Sequence, residues 1–374
     1  MRILRISGGN LYGGIETLLK TYALHQDLCP EFEQEFAFSF NSRIFHEIER
    51  TASRAYCLGN VRTRLLHRVW LARRRLGRLL DERAYDAVVC HAAWPHAVFA
   101  PVIRRRRVPL AFFLHDLANG RHWVERLARR TRPDLILCNS VFTSLSAAKL
   151  WNDVPVEVTY HPVPDQHLPL TAEERANVRQ RAATAADAVV IVQVARMEPY
   201  KGHLHNFKAL ARLKHLPQWV LWVVGGAQRP REQRYLELLK DQARELGIGE
   251  RVRFLGERRD VGSLLSASDI FSHPNDAPEP FGISFIEALY AGIPAISFAI
   301  GGAREIVTDQ CGILVPPGDA EGLSEALRRL MENPGLRAEL GSGGAARAVA
   351  LCNPHIRIRS EFEALRKLAH SGSA

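Results

Sequence analysis

Residues 161–169, His-Pro-Val-Pro-Asp-Gln-His-Leu-Pro, form a proline-rich stretch that divides the chain into two halves with the same rhythm. Directly after it, Thr171-Ala-Glu-Glu174 places threonine three positions before glutamate, which is the capping-box pattern of a helix start. On both sides, short apolar runs alternate with longer amphipathic runs, as in βαβ units. We therefore predict two domains, residues 1–165 and 170–352, joined at this stretch.

The apolar runs predict parallel β-sheets. In Ala87–Cys90 and Leu110–Leu114 every residue is apolar, as in strands that are covered on both faces. The predicted strands are Arg2–Ser7, Glu35–Phe40, Asp86–His91, Pro109–His115, Asp134–Asn139, Val156–Thr159, Val189–Ala195, Val220–Val224, Val252–Leu255, Ile270–His273, Ala295–Phe298 and Ile313–Val315. In the first half, the predicted helices are Ile15–Gln26, Arg62–Leu80, Arg121–Arg130 and Phe142–Leu150. A last helical run, residues 355–374, is expected to cross back to the first domain.

The fold class is thus α/β, with two facing Rossmann-like domains. Ligands of such sheets bind at the carboxyl ends of the strands, and with two facing domains we expect them in a deep cleft between the domains.

Composition and charge narrow the class of protein. The chain has 374 residues, 47% of them hydrophobic and 24% charged, and a net charge of +10, as in an ordinary globular protein. It has no apolar run near the roughly 18 residues that a membrane-spanning helix needs. Residues 1–7 predict a first strand rather than a secretory signal. Cys90 and Cys138 lie in apolar runs, as buried reduced thiols do. The cytoplasm is the expected compartment.

The segment Pro278-Glu-Pro-Phe-Gly-Ile-Ser-Phe-Ile-Glu287 places two carboxylates around a helix start. Gly282 precedes a predicted helix, Ile283–Tyr290, whose first N–H groups lack helical acceptors and can meet an anion such as a diphosphate. Glu279 and Glu287 are then placed to hold two parts of one extended ligand, such as a sugar and a ribose. The alternative is a capping acid beside an unrelated exposed glutamate.

The segment Ala195-Arg-Met-Glu-Pro-Tyr-Lys-Gly202 follows the first strand of the second domain. Arg196 and Lys201 therefore emerge at the carboxyl edge of the sheet. There they can neutralise the charge that develops on a leaving nucleoside diphosphate. The alternative is a surface turn with two solvated cations.

Taken together, these residues resemble those of family-4 glycosyltransferases. Arg196 with Lys201-Gly202, the segment Glu279–Glu287, the loop Gly301-Gly-Ala-Arg-Glu-Ile-Val307 and Val315-Pro-Pro-Gly-Asp319 occur in the family's order. The resemblance implies a GT-B fold and a retaining transfer of a sugar from a nucleotide-diphosphate sugar. It also implies no catalytic metal and no cofactor beyond this co-substrate. The chain has no Asp-x-Asp triplet, which independently disfavours a metal-chelating transferase.

The resemblance also assigns roles in the second domain. Arg196 and Lys201 would bind the diphosphate of the donor. Glu287 would bind its ribose, and Glu279 would lie near its sugar. The backbone amides of Phe281, Gly282 and Ile283 would meet sugar or phosphate. Front-face attack, with Glu279 positioning the sugar, is expected rather than double displacement with Glu279 as nucleophile.

In the first domain, Gly13 and Gly14 lie in a glycine-rich loop that a donor can approach closely. His115 ends a predicted strand, and the resemblance places such a histidine against the donor sugar near the reacting carbon. Other residues stay open between binding and structural roles. These are His161 in the linker, His273 before Glu279, and the possible acceptor-side residues His91, Trp94 and His96.

The acceptor is left open as a glycan, a glycolipid or a small molecule. The stretch Arg62–Arg78 mixes arginines with Leu65, Leu66, Val69 and Leu76 at helical spacing. It can lie on an anionic membrane, at the inner face of the cytoplasmic membrane. The alternative is a helix that packs these apolar residues on the sheet.

Two other functions stay open for the same scaffold, a nucleotide-sugar 2-epimerase or hydrolase and an inactive sugar-binding relative. No nucleic-acid partner is expected, because the sequence contains no recognised nucleic-acid-binding module.

Overall fold

The computed structural model describes residues 1–10, 12–62, 64–165 and 169–371. The chain divides into two compact units, Met1–Pro164 with Cys352–Ala374, and Asp165–Leu351. Several positions named above lie outside the described residues: 166–168 of the linker, Thr63 of the basic stretch, and 372–374 of the last helical run.

The first unit contains a parallel sheet whose described strands are β1 Arg2–Ser7, β2 Glu33–Phe38, β3 Ala55–Cys57, β4 Ala87–His91, β5 Leu110–Leu114, β6 Leu135–Cys138 and β7 Val156–Val158. Their order across the sheet is β3-β2-β1-β4-β5-β6-β7. The sheet therefore grows in opposite directions from β1. Every residue of β4 and β5 is buried, because helices cover both faces of the sheet.

The helices that join these strands are α1 Gly14–Leu24, α2 Arg43–Glu49, α3 Leu66–Glu82, α4 Ala93–Arg105, α5 Trp123–Ala128 and α6 Val141–Ser144. On one face of the sheet, Leu18 of α1 packs in a core with Phe36 of β2. On the other face, Leu76 of α3 and Phe99 of α4 pack with Leu4 of β1. The sheet is thus doubly wound.

The second unit repeats this plan with described strands β8 Val189–Val194, β9 Trp219–Val224, β10 Val252–Gly256, β11 Ile270–Ser272, β12 Ala295–Phe298 and β13 Gly312–Val315. Their order is β10-β9-β8-β11-β12-β13, all parallel. The helices are α7 Ala172–Arg181, α8 His203–Arg212, α9 Pro230–Glu245, α10 Val261–Ser266, α11 Ile283–Tyr290, α12 Ala303–Ile306, α13 Ala320–Glu332 and α14 Pro334–Cys352.

The last helix, α15 Pro354–Ser371, packs on the first unit. Its apolar side chains Ile358, Phe362 and Leu365 lie in the same core cluster as Leu18 and Phe36.

The predicted pair of doubly wound parallel sheets is confirmed. Every predicted strand is present, and the capping box at Thr171 is formed, with the Glu174 carboxylate accepting from the Thr171 amide at 2.8 Å. Strand β3 and helices α2 and α4 were not predicted from the sequence. Of these, β3 is a three-residue strand, and α4 begins without a capping side chain and contains Pro101. Such elements lack the periodic and terminal signals on which prediction depends.

The single helix predicted at Phe142–Leu150 is wrong. Helix α6 ends at Ser144, and a separate 3₁₀ turn covers Ala147–Lys149. The hydroxyl of Ser144 donates to the carbonyl oxygen of Val141, and that of Ser146 to Thr143, each at 2.7 Å. Such bonds from serine to nearby backbone compete with a regular helix. The helix predicted from Arg62 also starts later, at Leu66.

Asp269, just before β11, ties this strand to α7 and β8. Its carboxylate accepts hydrogen bonds from Arg175 at 2.7 Å, Arg179 at 2.8 Å and the amide of Val190 at 2.7 Å. The Arg179 side chain is only 4% exposed, so removal of its counter-charge leaves a buried cation without compensation.

We expect Asp269→Asn to lower the free energy of unfolding by about 3 kcal/mol, because two guanidinium groups then lose their anion. Thermal unfolding followed by circular dichroism measures the effect as a lower Tm. The control is Asp260→Asn, at the more exposed Arg258–Asp260 pair, which should change stability by less than about 1 kcal/mol. An equal Tm for both variants would contradict this assignment.

Candidate functional site

The helix predicted after Gly282 is present with the same bounds, as α11. Gly282 precedes it with φ of 107°, a left-handed conformation that glycine adopts without strain. Within the described part of the chain, no side chain caps this end of the helix. The positive end of the helix dipole therefore remains available to an anion.

Two glycines allow the loops of the second unit to pack closely. A Cβ atom at Gly202 would lie 1.7 Å from the carbonyl oxygen of Pro274, and one at Gly301 would lie 2.5 Å from that of Glu279. Both glycines also have positive φ, 72° and 62°. The amide of Gly302 donates to the Glu279 carbonyl oxygen at 2.7 Å. The Gly301-Gly302 pair thus fixes the backbone of Glu279.

Lys201 and Glu279 form a salt bridge where these loops meet. Their side chains are 12% and 17% exposed, so the pair is largely removed from water. The carbonyl oxygen of Lys201 accepts from the side chain of Gln193 at 2.7 Å, which holds the turn. The alternative of a solvated surface cation is therefore wrong for Lys201. The sequence pointed to Lys201 and Glu279 as separate donor-site residues. It did not predict that they form a salt bridge, because they lie far apart along the chain.

Arg196 is held by acids that the sequence analysis did not single out. Its guanidinium lies 2.8 Å from Glu198 and 3.9 Å from Glu232, both of which are buried. Glu198 also accepts hydrogen bonds from Tyr200 at 2.7 Å and from Arg231 at 3.3 Å. The Arg196 side chain is 31% exposed. A guanidinium that is anchored on one side can offer its solvent-facing N–H groups to an anion.

Glu287 lies on the partly exposed face of α11 together with Ile283 and Ser284. Burial of its carboxyl raises the pKa of Glu287 to about 7. Near neutral pH, this acid is therefore close to half-protonated in the protein without ligand. A ligand that donates hydrogen bonds to the carboxylate would favour the ionised form.

His273 packs beneath the same helix. Its ring is parallel to that of Phe285, with centroids 5.4 Å apart and an interplanar angle of 6°. Its Nδ1 lies 3.5 Å from Oγ of Ser284. Burial, with a contribution from the nearby Lys201 charge, holds the pKa of His273 well below its ordinary value. These contacts favour the structural interpretation of His273.

In the first unit, His115 follows β5 and is buried. Its Nε2 lies 2.9 Å from Nδ1 of His91, and its carbonyl oxygen accepts from the Asn139 side chain at 3.0 Å. The ring of His161 lies 5.5 Å from that of His115. Burial lowers the pKa of His91 and His115 well below the ordinary value, and that of His161 to about 3. All three rings are therefore neutral at pH 7.

Gly13 and Gly14 begin α1. Gly13 is the residue before its first turn, and its amide donates to the Glu16 carboxylate at 3.0 Å. The loop between β1 and these two glycines borders a cavity of about 510 Å³ in the first unit. It is lined by Ser7, Gly8, Asn10, Ile15, Phe40, Val61, Arg62, Arg64, His91, Ala92, Trp94 and Pro95. The rings of Phe40 and Trp94 stack there at 6.2 Å. This cavity lies at the carboxyl ends of β1, β2 and β4, so it is placed to receive a ligand.

His96 does not line this cavity, and its contacts favour the structural interpretation. Its Nε2 lies 2.7 Å from the carbonyl oxygen of Thr131, and its ring packs against Phe112 and Trp151. Because His96 lies on α4 rather than at a strand end, it turns into the core.

The start of α3 has an apolar outer surface. Leu66, Trp70 and Leu71 are 77%, 57% and 43% exposed, and the guanidinium of Arg74 lies 5.5 Å from the centre of the Trp70 ring. For Leu66 the alternative of packing on the sheet is therefore wrong, whereas Leu76 does lie in the core.

Two features are absent from the described residues. They contain no group of three or more His, Cys, Asp or Glu side chains arranged to hold a metal ion. They also contain no helix that is long and apolar enough to span a membrane.

Comparison with known proteins agrees with this geometry. Residues 174–347 match the family described as glycosyl transferases group 1. The chain is 26% identical over 360 residues, 90% of each chain, to the GDP-mannose-dependent monoacylated alpha-(1-6)-phosphatidylinositol monomannoside mannosyltransferase of Corynebacterium glutamicum. It is 28% identical over 290 residues to the GDP-mannose-dependent alpha-(1-6)-phosphatidylinositol monomannoside mannosyltransferase of Mycolicibacterium smegmatis, covering 72% of this chain and 73% of that protein.

A solved structure extends the likeness to the whole fold. Anabaena Alr3699/HepE in complex with UDP and glucose superposes with a TM-score of 0.87 at 25% identity, over 98% of this chain and 100% of that one. Residues 174–347 thus match a glycosyltransferase family, and the chain as a whole has the two-domain GT-B fold of a glycosyltransferase.

The raised pKa of Glu287 predicts an unusual pH dependence of stability. Between the ordinary glutamate pKa of 4.5 and about 7, the folded state binds more protons than the unfolded state, so stability falls as pH rises. We expect Glu287→Gln to remove this fall and to be more stable than the wild type at pH 8, by roughly 3 kcal/mol at most. Urea unfolding at pH 5 and pH 8 measures it.

Glu237→Gln, on the exposed side of α9, is the control and should change stability by less than about 1 kcal/mol at either pH. A wild-type stability that rises steadily from pH 5 to pH 8, with no difference in Glu287→Gln, would contradict the raised pKa.

Proposed function

We propose that this enzyme is a retaining glycosyltransferase that moves a sugar from a nucleotide-diphosphate sugar to a glycolipid. The observation that carries the proposal is the Lys201–Glu279 pair beside the uncapped start of α11. It places a cation and helix amides for a diphosphate next to a carboxylate for a sugar. Arg196 adds a second cation for the diphosphate, and Glu287 accepts from the ribose hydroxyls.

The proposed reaction proceeds on one face of the donor sugar. The acceptor oxygen bonds to the anomeric carbon as the bond from that carbon to the diphosphate oxygen breaks. The acceptor proton passes to the departing diphosphate oxygen, so the anomeric configuration is retained. Arg196 and Lys201 stabilise the charge that develops on the leaving group without need of a metal ion. His115 contacts the donor sugar near the reacting carbon.

The environment of Glu279 supports positioning rather than nucleophilic attack. Its carboxylate is neutralised by Lys201, and its backbone is fixed by the amide of Gly302. A carboxylate in this state is a weaker nucleophile than a free one, but it can hold a sugar hydroxyl.

The cavity of the first unit offers a binding site for an acceptor molecule. A transferase needs such a site, so the cavity favours a transferase over a 2-epimerase or hydrolase. Its stacked Phe40 and Trp94 offer an apolar face to a sugar ring, and Arg62 and Arg64 offer cations to an acidic group. Two relatives act on phosphatidylinositol mannosides, which supports a glycolipid with an anionic headgroup as the acceptor class.

The outer surface of α3 supports contact with an anionic membrane that carries this acceptor. Exposed Leu66, Trp70 and Leu71 can enter the headgroup region, and the surrounding arginines can meet lipid phosphates. The enzyme would then work as a peripheral membrane protein.

The donor site is tested with Lys201→Gln. We expect the wild type to show a raised Tm with at least one of UDP-, GDP- and ADP-sugars, because ligand binding stabilises the folded state. Lys201→Gln should lose most of this shift and lower kcat/KM by about 100-fold or more, since the leaving diphosphate loses a charge partner. Lys240→Gln, at an exposed pair with Glu237, should behave as the wild type.

A donor-induced shift that survives in Lys201→Gln would overturn the donor site. Proton NMR of the glycosylated product should show the anomeric configuration of the donor. Mass spectrometry that finds a sugar attached to Glu279 during turnover would instead establish double displacement.

The membrane proposal predicts that the protein floats with vesicles of anionic phospholipid and is released by high salt, because arginine–phosphate attraction is screened. The triple variant Leu66→Ser, Trp70→Ser, Leu71→Ser should float poorly. Trp123→Ser, which removes a similarly exposed aromatic residue on α5, should float as the wild type. Equal flotation of all three proteins would show that the outer surface of α3 is not the membrane-contacting surface.

A further inference from the structure

A charged side chain lies in the middle of the first sheet. Arg5 of β1 is fully buried, and its Nε donates to the side-chain oxygen of Gln34 at 2.6 Å. Its Nη1 lies 2.8 Å from the carboxylate of Glu361 on α15, which is equally buried. Its guanidinium also lies 3.8 Å from the centre of the Tyr22 ring, and the Tyr22 hydroxyl donates to Glu361. Arg5 is therefore fixed on several sides.

Arg5 connects to His115 through His91. Nη1 of Arg5 lies 3.4 Å from Nε2 of His91, and Nδ1 of His91 lies 2.9 Å from Nε2 of His115. The two imidazole rings are nearly parallel, at 14°, and the ring of His91 also packs on Phe113 with centroids 5.3 Å apart. The three side chains thus form one line of hydrogen-bonding groups.

The direction of each hydrogen bond in this line follows from its first member. Arginine has only N–H donors, so Nε2 of His91 must be the acceptor. A neutral imidazole carries one proton, so Nδ1 of His91 carries it and donates to Nε2 of His115. Nε2 of His115 is then an acceptor, and its proton lies on Nδ1. That Nδ1 is buried, and it has no hydrogen-bond partner among the residues that the structure describes.

We infer that Arg5 and His91 are positioning residues that hold His115 in its Nδ1–H tautomer, so that this N–H is offered to an oxygen of the donor sugar. The contact between His115 and a donor sugar rests on the proposed function. The tautomer of His115 does not depend on that function, because it follows from the hydrogen bonds of Arg5 and His91. Glu361 anchors the line, so the C-terminal helix completes the arrangement. The opposite polarity would set an N–H of His91 against the arginine, two donors with no acceptor between them.

The tautomer is measured on the donor-free wild-type protein. Long-range ¹H–¹⁵N correlation spectra of ¹⁵N-histidine-labelled enzyme show which ring nitrogen is protonated, and the signals of His115 are those missing from His115→Asn. We expect Nδ1–H for both His91 and His115. A His115 ring protonated at Nε2 would overturn the inference, whether or not the enzyme uses nucleotide sugars.

Variants of His91 connect the tautomer to turnover. His91→Phe keeps an aromatic ring on Phe113 but has no donor for His115, and it should lower kcat by about tenfold or more while donor KM changes less. His91→Asn restores an N–H at the position of Nδ1, so it should recover most of the lost kcat and the Nδ1–H signal of His115. His46→Asn, at an exposed helix position, should be unchanged.

Equal kcat values in His91→Phe and His91→Asn would overturn the inference, because packing alone would then explain the role of His91. A wild type that neither binds nor uses a nucleotide sugar would overturn the proposed function, while the spectra would still decide the tautomer.

Discussion

Close approach of backbone segments at the carboxyl edge of the second sheet is the constraint on which the donor site depends. Gly202 and Gly301 leave no room for a Cβ atom, and their loops press against the backbone at Pro274 and Glu279. In this arrangement the Lys201 ammonium reaches the Glu279 carboxylate. A larger residue at either glycine would push these backbone segments apart and move the Lys201 ammonium away from the Glu279 carboxylate. The salt bridge is therefore a consequence of backbone packing as much as of charge.

Both units use buried charge to orient groups rather than to gain stability. Buried ion pairs contribute little net stability, because desolvation offsets their attraction, yet breaking one is costly. In the second unit, Glu198 and Glu232 set the direction of Arg196. In the first unit, Glu361 sets that of Arg5. Glu287 is the related case of an acid kept in an environment that raises its pKa. Its ionised form is disfavoured until a ligand supplies hydrogen-bond donors, so part of the stability of the free enzyme is given up at the site.

Much of the fold could be predicted from the sequence. Buried parallel strands appear in the sequence as continuous apolar runs, and helix starts are marked by nearby residues such as a capping threonine or a glycine. The runs at Ala87–Cys90 and Leu110–Leu114, the capping box at Thr171 and the bounds of α11 all depend on neighbours within a few positions. The misses have the same cause. The short strand β3 and the uncapped helix α4 form because the rest of the unit packs on them. The role of His96 was left open, because its inward direction depends on α4, which was not predicted.

The sequence by itself determined the two-sheet architecture and the chemical types at the donor site, since Arg196, Lys201, Glu279 and Glu287 lie in segments that resemble a known family. Only the tertiary structure decided which of them touch. Lys201 meets Glu279, and Arg196 meets Glu198, through loops whose spacing depends on distant backbone. It alone also revealed Arg5, which in sequence is one polar residue in an apolar strand. Its partner Glu361 comes from the far end of the chain. Local signals fix local structure, whereas the polarity of a buried hydrogen-bonded line depends on every group that the fold brings to it.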